Sequence, residues 1–268
     1  MTNDNWPGDV SEAEGTEDNP ADTSPRISIV VPAYNEEAIL DRSLRALIAR
    51  LDALLEDRYE VLLCENGSTD RTPEIAAELS QAFPQVRVEA LPLASYGLAI
   101  RHGISHAQGR DVVIFNVDFW NVAFLQKAIG YLTYYDVVVG SKAVKGAKDM
   151  RPLPRLLATR GLNFVLRLVC GFQGTDTHGI KAFNRARILP IVAQCRLNSD
   201  LFDTELVLRA QRAGLRYREI PVSVRERRPA RSSFLKRIPK AMVEVAVLAR
   251  TLGRTPAPTE ETLEDEGV

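Results

Sequence analysis

Asp118 is the first position in this sequence that could do chemistry by placement alone. It ends Asn116-Val117-Asp118, which follows the apolar run Val112-Val113-Ile114-Phe115. A carboxylate at the end of a buried strand can hold a hard divalent cation against phosphate oxygens. It can equally be an ordinary turn residue. Two other polar clusters also follow apolar runs: Asn35-Glu36 after 27–33, and 65–70 after 60–64. Open parallel sheets bind their ligands at the carboxyl ends of strands, so three such clusters read as one site. Other chemistries lack their parts. There is no G-x-x-x-x-G-K-[ST] and no G-x-G-x-x-G to cradle a phosphate. His102 and His106 are spaced i,i+4, but His-Gly-Ile-Ser-His lacks the glutamate of a zinc-protease helix, and the pair reads as surface histidines. Cys64, Cys170 and Cys195 are too few and too scattered for a disulfide framework or a zinc site, which suits a reducing compartment.

The elements that must position these residues alternate. Apolar runs at 27–33, 60–64, 86–90, 111–116 and 135–140 are the expected strands. Helices are expected over 36–55, with Leu40, Leu44, Leu47 and Leu51 on one face, from Asp70 or Thr72 to 83 with Pro73 in the first turn, and over 94–107. Strands and helices in this alternation predict right-handed βαβ units on a parallel sheet. After Gly140 the composition turns basic, and a mobile loop is expected over 141–160. A helix at 156–169, a segment at 175–183, a helix at 203–213 and a strand at 216–222 complete the body. Beyond Pro239, a helix with Met242, Val245 and Ala249 on one side is expected to cover the core or lie on a membrane surface.

The 268 residues are 45% hydrophobic and 26% charged, which suits an ordinary core. The formal net charge of -1 conceals an uneven distribution. Residues 1–24 carry seven acids and 255–268 carry five, with no Lys or Arg in either, and both read as disordered tails. The body between them holds 23 acids against 34 bases, or +11, which points to an anionic partner. The chain then carries the basic run Arg225, Arg227, Arg228, Arg231, Lys236, Arg237 and Lys240; its 225–231 part lacks aromatic interleaving, so nucleic acid is not expected. Anionic lipid on a cytosolic face would attract it. Arg167 and Glu244 interrupt the two most apolar helices, neither of which reaches the ~20 residues of a membrane span. No signal-peptide pattern opens the chain. A cytoplasmic protein, peripheral on the membrane, is the expectation.

Longer motifs carry a resemblance. Val30-Val31-Pro32-Ala33-Tyr34-Asn35-Glu36-Glu37 and Glu65-Asn66-Gly67-Ser68-Thr69-Asp70-Arg71-Thr72 resemble the first two signatures of family 2 glycosyltransferases with the GT-A fold. Asn116-Val117-Asp118 resembles that family's D-x-D. Gly140-Ser141-Lys142-Ala143-Val144-Lys145-Gly146 is similar to the G-S-R-x-x-x-G loop of its dolichol-phosphate mannosyltransferase-like branch. Thr159–Asn163, Asp176–Lys181, Phe202–Leu206 and Glu219–Val222 continue the match in order, over about residues 26–233. The resemblance implies an α/β fold, a mostly parallel Rossmann-like sheet flanked by helices. It would span 25–232, followed by a basic amphipathic helix over 233–254.

The resemblance also implies roles. Pro32, Tyr34, Glu36, Glu65 and Asn66 match positions that hold the nucleoside of a sugar nucleotide, with Asn116 and Val117 beside them. Asp118 matches the carboxylate that holds Mg²⁺ or Mn²⁺ at the donor diphosphate. Glu205 matches the acid of F-x-x-E, and Arg227 an arginine that meets the diphosphate. Lys142, Arg155 and Thr159 match an acceptor-phosphate site. The sequence departs from the family at Asn116 and Asn66, each an aspartate there, and at Glu65. It departs again at Tyr96, where many members have Lys or Arg, and at Ser233. The implied reaction is inverting transfer from a UDP- or GDP-sugar to polyprenyl phosphate, with a small integral-membrane partner as a further expectation. A phosphate nucleophile is already anionic and needs no strong base, so the protein must mainly bring two anions together. A soluble saccharide acceptor would need a general base, which Asp203 or Glu205 could supply. The two asparagines leave open a nucleotide-binding protein without turnover.

Overall fold

The structure is a computed structural model that describes residues 25–56, 58–149, 153–177, 179–224 and 234–253. Strand β1 (Ile27–Ala33) is buried along its whole length. It lies parallel to β2 (Tyr59–Asn66), in register from Ile27 opposite Tyr59 to Ala33 opposite Glu65. β3 (Val86–Leu91) extends the sheet beyond β2, and β4 (Asp111–Ile114) flanks β1 on its other side. β5 (Val137–Ser141), β7 (Lys181–Asn184) and β8 (Tyr217–Pro221) complete seven strands in the order β3-β2-β1-β4-β7-β5-β8. A separate two-stranded pair joins β6 (Lys148–Asp149) to β9 (Ser223–Val224). Its β6 strand and the first turns of the helix that follows fall within 141–160, the stretch expected as a mobile loop.

Period-two alternation divides the strands between two cores. Ile27, Ile29 and Val31 of β1, with Val61 and Leu63 of β2, face α1 (Leu40–Leu55), α2 (Thr72–Ala82) and α4 (Val122–Tyr131). Val30, Leu62 and Cys64 face α3 (Tyr96–His106), α6 (Arg185–Gln194) and α7 (Phe202–Arg212). A third cluster joins α5 (Leu153–Cys170) to α8 (Phe234–Gly253) through Leu166, Cys170, Val245, Leu248 and Leu252. Met242 is exposed and does not share the core face of Val245, so the expected stripe on this helix is rotated.

The sheet is not wholly parallel. β7 is antiparallel to both neighbours, with Lys181 opposite Ile114 and Val139 and Phe183 opposite Val112 and Val137. The chain enters β7 from the end where the other strands finish. Its first residue, Lys181, therefore stands among their last residues, at the ligand end of the sheet. Helix α1 starts four residues later than expected. Asn35 takes a left-handed backbone (φ 52°), a conformation asparagine tolerates, and delays the helix to Leu40.

Candidate active site

Two turns at the ends of β1 and β2 lock together. The Asn35 N–H donates to Ser68 Oγ (3.0 Å), and the Asn35 side-chain oxygen accepts from the Thr69 N–H (2.8 Å). The Glu36 N–H donates to Thr72 Oγ1 at 2.7 Å. Asp70 accepts from the N–H groups of Thr72 and Glu37, at 2.9 and 3.2 Å. Desolvation pushes the Asp70 carboxyl up, but these bonds outweigh it and hold it below its ordinary value. Polar residues that look like two separate motifs thus satisfy each other's backbone and leave a rigid rim.

That rim borders a cleft of about 310 Å³ lined by Pro32, Ala33, Tyr34, Glu36, Asn66, Ala94, Ser95, Tyr96, Asn116, Val117, Asp118 and Asp200. β4 stops at Ile114 opposite Val30 while β1 and β2 run on, and an isolated bridge between Asn116 and Phe119 turns the chain at Asp118. Three carboxylates line the cleft, and none of its described lining residues is Lys or Arg. Asn66 is buried, and its Oδ1 has no hydrogen-bond partner among the described residues. No cluster of three or more His, Cys, Asp or Glu side chains able to hold a metal occurs among the described residues. The donor set is therefore one or two carboxylates and an amide oxygen. That suits an ion such as Mg²⁺, which takes few protein ligands and fills its sphere with water and substrate phosphate.

A second wall comes from segments a hundred residues apart. Ser95 caps α3, and both its hydroxyl and the Gly97 N–H donate to the Asn198 carbonyl, the latter at 3.2 Å. A Cβ on Gly97 would come within 2.6 Å of the Asn198 carbonyl carbon, so only glycine allows this approach. Glu205, fully buried, fixes the same loop. Its Oε2 accepts from the N–H groups of Arg196 (2.9 Å) and Leu197 (2.7 Å), and its Oε1 from Arg209 Nε (2.8 Å). Asp203 is buried too. Its Oδ2 pairs with Lys181 Nζ at 3.1 Å and accepts from the Tyr96 hydroxyl at 3.1 Å. Burial, then the Asp203 charge, pushes the Tyr96 hydroxyl well above its ordinary pKa, so it keeps its proton.

A third group surrounds Lys142. Glu219 Oε1 accepts from the N–H groups of Thr175 (2.7 Å) and Asp176 (3.1 Å) and from the Tyr217 hydroxyl (2.8 Å). Thr175 Oγ1 lies 2.6 Å from Ser141 Oγ, and Asp176 Oδ2 pairs with Lys142 Nζ at 3.2 Å. Gly179 lies so close to the Gly140 carbonyl that a Cβ would meet its oxygen at 2.0 Å. Gly140, Ser141 and Lys142 are thus held against Thr175, Asp176 and Gly179.

Of the residues expected in the site, the cleft gathers Pro32, Tyr34, Glu36, Asn66, Asn116, Val117 and Asp118. It does not include Glu65, which is buried and accepts from the Ser68 N–H at 2.6 Å. Nor does it include Glu205, which is buried with its two oxygens occupied by the loop and Arg209. Lys142 and Thr159 lie outside the cleft, Thr159 half-buried on α5. The Arg155 side chain and the whole of Arg227 lie outside the described residues. Sequence reading missed Ser95 and Asp200, and it noted Tyr96 only as a departure. Asp200 sits in a short polar turn with no motif signal, and it reaches the cleft only through Glu205 and Gly97. His102 is half-buried and bonds Glu89 at 2.8 Å, so it is not the surface histidine expected.

Comparison with known proteins agrees with this layout. Glucosyl-3-phosphoglycerate synthase from Mycobacterium tuberculosis, solved with Mn²⁺, UDP-glucose and phosphoglyceric acid, shares the fold at a TM-score of 0.63 and 19% identity. That match covers 88% of this chain and 82% of the synthase. The dolichyl-phosphate hexose transferase of Haloferax volcanii is 31% identical over 208 residues, which are 75% of this chain and 83% of that protein. The glycosyltransferase AglD of the same organism is 31% identical over 202 residues, and this chain spans about a third of its length. The human dolichyl-phosphate beta-glucosyltransferase is 28% identical over 216 residues, 74% of this chain and 67% of that enzyme. The family model for glycosyl transferase family 2 matches residues 28–190, more than half of the chain, and the chain belongs to that family.

Proposed function

We propose that the chain transfers a sugar from a nucleoside diphosphate sugar to polyprenyl phosphate, with inversion at the anomeric carbon, for envelope glycan or glycoconjugate synthesis. The observation that carries the donor half is the charge of the cleft. Glu36, Asp118 and Asp200 line it without a described base, so a diphosphate can enter only with a compensating cation. Asp118, with Asn116 and Asn66 near it, would hold Mg²⁺ or Mn²⁺. The ion, when bound, neutralises charge on the departing diphosphate. Pro32, Tyr34, Glu36 and Asn66, at the ends of β1 and β2, would bind the nucleoside. The basic residues of the body are absent from the described lining of this cleft. Arg227 is proposed to reach the diphosphate.

The acceptor half is supported by what the acids of α7 do. Asp203 and Glu205, the two bases a hydroxyl acceptor would use, are buried and ion-paired. A phosphate acceptor needs neither. Lys142, with Arg155 and Thr159, is proposed to hold its phosphate, and Asp176 positions the Lys142 ammonium by the 3.2 Å pair. Leu157, Phe164 and Leu168 on α5 and Met242, Val243 and Val247 on α8 are exposed, Leu168 at 77%. These two helices pack on each other, and their apolar side chains support contact with a bilayer on its cytoplasmic face. No described helix is long and apolar enough to cross a membrane. A small integral-membrane partner would hold the enzyme at the bilayer if this face alone does not.

The test is transfer of radiolabel from UDP-glucose and GDP-mannose to undecaprenyl or dolichyl phosphate, with and without Mn²⁺, beside free hexose as acceptor. Label in lipid only, and only with metal, is the expected result. Label in free sugar alone would replace the acceptor, and nucleotide binding without any transfer would leave a non-catalytic binder. Flotation of the purified chain with anionic vesicles in high salt tests the membrane face without a partner present.

A further inference from the structure

The second wall of the cleft offers chemistry that the donor contacts above leave unused. Tyr96 opens α3 and lines the cleft. Its hydroxyl proton goes to Asp203, whose charge Lys181 balances inside the protein, so the Tyr96 oxygen is left to accept a hydrogen bond. Asp200 is exposed on the same cleft, and its carboxylate makes no hydrogen bond or ion pair with another described residue. Neither group is spent on the fold at that face. Both are fixed in place: Tyr96 by Asp203, and Asp200 by the loop that Glu205 and Asn198 hold.

Sheet order says what they would meet. The proposed nucleoside contacts come from the ends of β1 and β2, and Asp118 follows β4. Lys181 opens β7, the next strand beyond β4 in the order β2-β1-β4-β7. Tyr96 opens α3, which packs on β1 and β2, and through Asp203 its hydroxyl is tied to Lys181 beyond β4, on the far side of Asp118 from the nucleoside. A sugar nucleotide with its base over β1 and β2 and its diphosphate at Asp118 carries its sugar on toward that hydroxyl.

We propose that Tyr96 and Asp200 read the hydroxyls of the transferred sugar, and that Asp200 makes the site reject sugars bearing a carboxylate. This assignment rests on the donor reading above. A carboxylate accepts from two neighbouring hydroxyls at once, and Tyr96 oxygen accepts from a third. None of the described lining residues of the cleft is Lys or Arg, so a cation that would welcome an acidic sugar is missing from it. An unscreened like charge beside Asp200 costs roughly fivefold or more in affinity.

The experiment is calorimetric titration of the full chain with Mn²⁺ present. One probe set is UDP, UDP-glucose and UDP-glucuronate, and the other is GDP, GDP-mannose and GDP-mannuronate. Wild type is compared with Tyr96→Phe and Asp200→Asn. Asp200 is exposed and unbonded, so its variant cannot fail for lack of folding. Both variants are expected to bind the plain diphosphate no more than about twofold more weakly than wild type and the hexose donor roughly tenfold more weakly. Asp200→Asn is also expected to shrink the preference for hexose over uronate by about fivefold or more. Equal weakening of diphosphate and sugar nucleotide would overturn the assignment, because the groups would then serve metal or nucleotide. So would a wild type that gains no affinity from the sugar, or one that binds the uronate as well as the hexose. Wild type binding neither UDP nor GDP is a separate result that removes the donor reading, and this assignment with it.

Discussion

Glu205→Ala separates a structural acid from a catalytic one. In the folded chain the carboxylate is fully buried and accepts three hydrogen bonds, two from the backbone N–H groups of Arg196 and Leu197 and one from Arg209 Nε. Alanine leaves the Arg209 guanidinium, 4% exposed, without this counter-charge, and leaves two N–H groups without their acceptor. Removing one partner of a buried ion pair costs about 3–5 kcal/mol, a large share of the ~5–15 kcal/mol that holds a domain folded. Glu205→Gln keeps the volume and one acceptor oxygen but points an amide N–H₂ at another donor. Its cost should be smaller, about 1–3 kcal/mol. Urea unfolding of wild type and both variants, followed by circular dichroism, reads these values from the shift in midpoint at constant slope. The loop freed by either change carries Asp200, so sugar-nucleotide affinity should fall along with stability. If Glu205→Ala abolished turnover while stability stayed within about 0.5 kcal/mol of wild type, the structural account would be refuted and the acid would be catalytic.

Other expected outcomes follow the same reasoning. Asp118→Asn should abolish turnover and the metal dependence of nucleotide binding, with stability unchanged within about 0.5 kcal/mol because the side chain is exposed; kinetics and urea unfolding check both. Gly97→Ala should destabilise by about 1–3 kcal/mol and weaken the donor, since its Cβ would press on the Asn198 carbonyl at 2.6 Å. Lys142→Ala should raise the KM for lipid phosphate more than that for the sugar donor. Asp136 links stability to pH: desolvation raises its pKa, but hydrogen bonds and charge from Arg216, with Arg187 beyond, outweigh it and hold the carboxyl below its ordinary value. A depressed folded pKa stabilises above the unfolded value of 3.8 and is lost as pH falls through the folded one. Asp136→Asn should therefore flatten the acid limb of the stability profile, as acid titrations of unfolding would reveal.

Much of this molecule was legible before any tertiary structure. The apolar runs at 27–33, 60–64 and, as far as Ile114, 111–116 are strands because they alternate between two cores, and Leu40, Leu44, Leu47 and Leu51 share a buried helix face as their spacing requires. The donor side of the cleft was legible for the same reason. Pro32 and Asn66 close strands of a largely parallel sheet and Tyr34 and Asp118 follow them, so local sequence order already places them at one end.

What the sequence concealed depends on contacts between distant segments. The antiparallel course of β7 has no local signature, since four residues of strand read alike in either direction, yet it alone brings Lys181 to Asp203. Glu205 stands in a motif, but no local pattern announces its burial or the three donors that Arg196, Leu197 and Arg209 bring to it. Asp200 carries no motif signal; Gly97, a hundred residues earlier, lets the backbone at Asn198 come close, and Asp200 lines the cleft beside it. Residue type and spacing determine which groups can leave a strand end together. Whether a carboxylate faces a ligand or the chain's own N–H groups is decided by packing, because only close approach of remote backbone supplies those donors.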